Sequence, residues 1–215
     1  MIDGQLEPNQ VLSPQILSAM GTTAREAFVP AAYTQAAYLD EPIPIAEQRY
    51  MLPPLLIGQM LEAADIRPAS KVLVMHDGTG YVAALLAQMG CSAFLLEETQ
   101  ELANRARLTL SQHGFGKVEV HAGALDMALA ASKPYDHIIV LGAAQRLPEC
   151  WTKQLADGGR LTYIAARAEV PTSDFVRGNI VTLSKAGETI SQSQFEDVCA
   201  PVIASLIHKG GFQFD

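Results

Sequence analysis

Cysteine, tryptophan and positive charge are all scarce in this chain of 215 residues, which has three Cys, one Trp, and 15 Lys and Arg against 23 Asp and Glu. Cys91, Cys150 and Cys199 are odd in number and far apart. That argues against a disulfide framework and for buried thiols in a reducing compartment. The net charge of −8 repels phosphate backbones and anionic lipid, and Arg25, Arg49, Arg67 and Lys71 stand singly rather than on one basic stretch. No nucleic-acid partner is therefore expected. The most apolar stretch, 81–96, is broken by Gln88 and Gly90 and falls short of the roughly 20 residues that span a bilayer. The opening Met1-Ile2-Asp3-Gly4-Gln5 lacks the basic start and apolar run of a secretory signal, so a cytoplasmic protein off the membrane is expected. His76, His113, His121, His137 and His208 form no i,i+4 pair and have no cysteine partner, which predicts no metal site. Gly-x-Ser-x-Gly and phosphate-loop signatures are missing too, which sets aside hydrolases of those types.

What the chain does have is core: 49% of its residues are hydrophobic and only 18% charged. From Lys71 onward short apolar runs alternate with helical patterns, the mark of strand–helix–strand units and a parallel sheet. Strands are expected at 71–75, 93–96, 118–121, 136–141 and 160–164, with helices over 79–89, 99–113 and 148–155. In the second of these helices Leu102, Ala106 and Leu110 share one face, and Gly114 and Gly116 stop it. After Pro171 the pattern changes to two strands, 175–183 and 189–198, joined through Lys185-Ala186-Gly187-Glu188, which predicts an antiparallel end. Residues 1–65 read as a mostly helical extension, with Pro42, Pro44, Pro53 and Pro54 keeping 40–55 as loop, packed on an α/β domain over 66–215.

The segment after the first strand carries the chemistry. His76, Asp77, Gly78, Thr79 and Gly80 lie between a strand and its helix, where glycines let backbone amides approach a ligand at the helix N-terminus. Glu97 ends the second strand, 19 residues beyond Gly78, where a carboxylate can accept both ribose hydroxyls. Together they predict a nucleoside pocket. Gly78-Thr79-Gly80-Tyr81-Val82-Ala83 suits a nicotinamide dinucleotide, whereas the antiparallel end favours S-adenosylmethionine.

Six landmarks in order then point to one family: Met1 to Leu6, Arg25-Glu26-Ala27-Phe28-Val29-Pro30, Ala37-Tyr38, Pro42-Ile43-Pro44-Ile45, Tyr135 to Val140, and Gly158-Gly159-Arg160-Leu161. Along almost its whole length the chain resembles the protein-L-isoaspartate O-methyltransferases. The resemblance implies the Rossmann-like fold of S-adenosylmethionine-dependent methyltransferases, mostly parallel with antiparallel C-terminal strands. It also implies methyl transfer from that cofactor to a carboxylate of a protein or small molecule.

The chain departs from the family's pattern where the cofactor and substrate would bind. Val74 stands at the family's acidic position and His76 at its first loop glycine, and the glycine-rich turn whose Asp resembles an adenine-binding carboxylate falls on Gly123 and Ala124. Asp126 could replace that Asp only through a two-residue shift. In the substrate loop Leu52 takes the place of the family's serine, with Tyr50 beside it. These changes imply weak or lost cofactor binding and no ordinary isoaspartyl repair, and leave a non-catalytic binding module on the inherited fold as the alternative. His76 reads as filler for the space a glycine leaves, an acid, base or anion contact being its other reading. Arg49 reads as a solvated charge and Tyr50 as an aromatic lid residue.

Overall fold

The computed structural model describes residues 1–167 and 173–207; Pro171 and His208 lie outside them. After helix α1 (Pro14–Thr22), strands β1 (Ile43–Ala46) and β2 (Arg49–Met51) form a small antiparallel hairpin, followed by α2 (Pro54–Ala64). The alternating core is β3 (Lys71–Met75), α3 (Tyr81–Gln88), β4 (Ser92–Glu97), α4 (Gln100–Gln112), β5 (Glu119–Ala122), β6 (Tyr135–Ala144), α5 (Glu149–Lys153) and β7 (Leu155–Ala166). Two long strands, β8 (Phe175–Ala186) and β9 (Thr189–Pro201), complete a seven-stranded sheet in the order β5-β4-β3-β6-β7-β8-β9. Pairing is parallel from β5 to β7 and antiparallel from β7 to β9.

The apolar runs lie where a sheet covered on both faces needs them: β3 is buried from Val72 to Met75 and β6 from His137 to Ala144. One core cluster joins Leu6, Ile16, Met20 and Met60 of the N-terminal extension to Leu85 of α3 and to Val72 and Ile139 of the sheet. On the other face Trp151 is fully buried and donates its indole N–H to the Leu125 carbonyl at 2.7 Å.

Three expectations change. The 40–55 stretch is not all loop: Pro42 precedes the hairpin, Pro44 lies within β1 opposite Tyr50, and Pro53 and Pro54 open α2, where a missing N–H costs nothing. The helix expected over 148–155 ends at Lys153, because Leu155 already begins β7. Cys199 is exposed on β9 rather than a buried thiol, while Cys91 and Cys150 are half-buried and all three are free. Among the described residues no helix is long and apolar enough to cross a membrane.

Candidate functional site

The parallel strands β3, β4, β5 and β6 end together at one rim of the sheet, where the turn 76–80 meets Glu97 and Gly123. The turn after β3 uses three left-handed residues, His76 at φ 67°, Gly78 at 74° and Gly80 at 88°. For glycine this conformation is free; for His76 it costs about 1–2 kcal/mol. Its backbone still continues the sheet, donating N–H to the Leu96 carbonyl at 3.1 Å. The imidazole is buried, with Nδ1 3.1 Å from Glu98 Oε2. Burial pushes the His76 pKa down. Glu98 is held at about 2, chiefly by His76, with Ser205 donating to its other oxygen at 2.7 Å.

Glu97 is fully buried and each of its oxygens accepts one hydrogen bond. Oε1 accepts the Gly78 N–H at 2.5 Å, and Oε2 accepts Arg49 Nη2 at 2.8 Å. Arg49 was expected in solvent; it is 8% exposed and also reaches Glu98 at 3.7 Å through Nη1. The hairpin delivers it: a Cβ added to Gly78 would lie 2.2 Å from Ile45 Cδ1, so β1 sits directly on the glycine turn. Arg105 of α4 stitches the two together, donating to the carbonyls of Ile45 at 2.7 Å and Gly78 at 3.2 Å.

Asp77 and Thr79 serve the helix behind the turn. Asp77 accepts the Ala83 N–H at 3.1 Å and the Thr79 hydroxyl at 3.1 Å, and that hydroxyl accepts the Tyr81 N–H at 3.2 Å. Two donors that would otherwise face an anion at the start of α3 are therefore engaged within the protein. Desolvation raises the Asp77 pKa against the hydrogen bonds that lower it.

The remaining expected residues divide. Gly123 donates its N–H to the Glu97 carbonyl at 2.9 Å and so borders the same rim. Ala124 is exposed beside it and offers only a methyl group. Asp126 is exposed and leans toward Arg146 at 3.5 Å rather than into the cleft. Leu52 is buried in the core, and its carbonyl accepts from the fully buried Arg25 at 2.7 Å. Tyr50 is half-buried, donates to Asp174 at 2.7 Å, and packs on Phe175 with ring centroids 4.8 Å apart.

The chain matches a family model for protein-L-isoaspartate(D-aspartate) O-methyltransferase over residues 1–193. The chain belongs to that family. A protein-L-isoaspartate O-methyltransferase from Gloeobacter violaceus is 40% identical over 161 residues, 75% of this chain and 78% of the relative. One from Methanoregula boonei is 32% identical across 99% of this chain and 94% of its own length. Among solved structures, a protein-L-isoaspartate O-methyltransferase superposes with a TM-score of 0.78 at 21% identity, covering 91% of this chain and 63% of the other. A putative Plasmodium falciparum member, in complex with S-adenosyl-L-homocysteine, gives 0.76 at 16% identity over 93% and 94%. The fold is that of the S-adenosylmethionine-dependent methyltransferases.

At the positions where that family's pattern places its cofactor, Glu97 is paired with Arg49 and the Gly78 N–H, the His76 side chain stands where the family has a loop glycine, and Ala124 offers no side-chain acceptor. Sequence reasoning missed Arg105, Glu98 and Ser205, and misplaced Arg49. Only the place of Arg49 two residues before Met51, on the same face of a short strand, hinted at a buried role.

Proposed function

We propose that this isoaspartyl methyltransferase family member does not perform ordinary isoaspartyl repair, and that it works as a binding or interaction module whose nucleoside cleft is closed by its own side chains. The observation that supports this reading most is the pairing of buried Glu97 with Arg49 and the Gly78 N–H. A ribose hydroxyl reaching Glu97 has either to share the acid with a 2.8 Å charge-assisted contact or to break it. Breaking it leaves a buried charge without its partner, which commonly costs about 3–5 kcal/mol.

A second reading, S-adenosylmethionine-dependent methyl transfer to a protein or small-molecule carboxylate, is favoured by the left-handed Gly78 and Gly80 and by Glu97 at the end of β4. Calorimetric titration with S-adenosylhomocysteine separates the two. The closed cleft predicts a dissociation constant weaker than about 100 μM, and no transfer of radiolabelled methyl to an isoaspartyl peptide above background. A micromolar constant with turnover would discard the closed-cleft reading in favour of the second.

A further inference from the structure

The sheet ends at β9, and no described element pairs with the far edge of that strand. From Thr189 to Asp197 its side chains are exposed on both faces, unlike β3 and β6, which are buried on both. Soluble proteins usually blunt such an edge with charged side chains, proline, a β-bulge or a very short strand. Here the stretch Thr189-Ile190-Ser191-Gln192-Ser193-Gln194-Phe195-Glu196-Asp197 contains neither lysine nor proline, pairs regularly from Thr189 to Gln194 with a bulge only at Phe195 and Glu196, and leaves Ile190 41% and Phe195 43% exposed.

Two hollows open beside this strand, of about 180 Å³ and 420 Å³, sharing Gln59 and Glu196 in their walls. Ile180 and Phe195 give the smaller an apolar wall, and Leu56 and Phe175 the larger. Their charged lining is entirely acidic: Glu62 and Glu196 in the smaller, Asp40, Glu196 and Asp197 in the larger. Glu62 and Asp40 each accept one backbone N–H, and Asp197 is held by Arg167 and Asn179. Glu196 has no partner among the described residues.

We propose that the free edge of β9 accepts an extended segment of another protein as an added strand, with lysine or arginine side chains entering these hollows. An added strand satisfies the unpaired backbone groups of β9, and side chains two residues apart fall on the same face about 6.5–7 Å apart. The charge selects the occupant. A second copy would bring two chains of −8 together with Glu188, Glu196 and Asp197 of each at the shared edge, whereas a basic segment meets complementary carboxylates. The site lies away from the glycine turn, so the proposal stands whichever state the nucleoside cleft is in.

The test is fluorescence anisotropy on the intact chain with a labelled peptide of roughly eight residues that alternates lysine with threonine and valine. The same peptide with glutamate for lysine is the control. Binding tighter than about 100 μM is expected for the basic peptide and at least about tenfold weaker binding for the acidic one. Glu196→Lys, an exposed substitution checked by circular dichroism, should weaken the basic peptide about tenfold. N-methylation at alternate peptide nitrogens, in its two possible registers, distinguishes strand pairing from charge alone. One register should abolish binding and the other leave it nearly intact. No binding of the basic peptide, equal binding of both methylated registers, or no loss in Glu196→Lys would each overturn the proposal. So would a dimer in sedimentation that Phe195→Lys dissolves, since the edge would then belong to a second copy.

Discussion

Removing Arg49 should do more for nucleoside affinity than restoring the family residues around it. In the parent, Arg49 and Glu97 meet at 2.8 Å with side chains 9% and 0% exposed. Arg49→Gln leaves the acid buried with the Gly78 N–H as its remaining partner, at a cost of about 3–5 kcal/mol in folding stability. A domain with about 5–15 kcal/mol in hand survives that loss. A ribose hydroxyl that takes the vacated oxygen recovers a hydrogen bond to a charged group, about 1.5–3 kcal/mol, so S-adenosylhomocysteine should bind about ten- to a hundredfold tighter than to the parent. By contrast His76→Gly with Ala124→Asp, leaving Arg49 in place, should gain less than about tenfold. All three changes together should bring about 10²–10⁴-fold, because the groups share one pocket and act together. Calorimetry gives the constants, while urea unfolding and circular dichroism establish that each variant is folded. A folded Arg49→Gln that binds no better than the parent would refute the idea that this side chain holds the cleft shut. Micromolar binding by the double variant with Arg49 intact would refute it equally.

Acid should destabilise the chain partly through His76. Burial holds its folded pKa below the ordinary 6.5, so as pH falls below about 6.5 the unfolded chain gains a proton that the folded one resists, and stability drops. Glu98, held at about 2, acts at lower pH: its contribution is full above 4.5 and disappears as pH falls toward 2. In urea melts between pH 7.5 and 5.5 the parent should lose more stability than His76→Asn, and equal slopes would show that His76 is not titrating in this window. Leu52→Ser should cost about 2–5 kcal/mol, since it trades a core side chain for an unpaired hydroxyl, and should yield no methyl transfer to an isoaspartyl peptide. Turnover by that variant alone would show a competent cofactor pocket and count against the closed cleft.

The sequence by itself determined the alternation of strands and helices, the family, and the meeting of the glycine turn with Glu97. Those features are local or repeat along the chain: apolar runs such as Val72 to Met75, glycines where left-handed turns occur, and a carboxylate at the end of the next strand. It also marked His76 and Ala124 as departures, because a missing glycine or acid is visible without a structure. Only the assembled fold set what surrounds Glu97. Arg49 is 48 residues from Glu97, Ser205 is 107 from Glu98, and Arg105 is 27 from Gly78. No periodicity links such pairs. Arg49 looks like a surface charge until the hairpin seats it against a buried acid, because the energy of a charge depends on its surroundings rather than on its neighbours in sequence. The exposed edge of β9 was hidden for the same reason: the strand could be read from its pattern, but which strand lies last in a sheet is fixed only when the sheet is assembled.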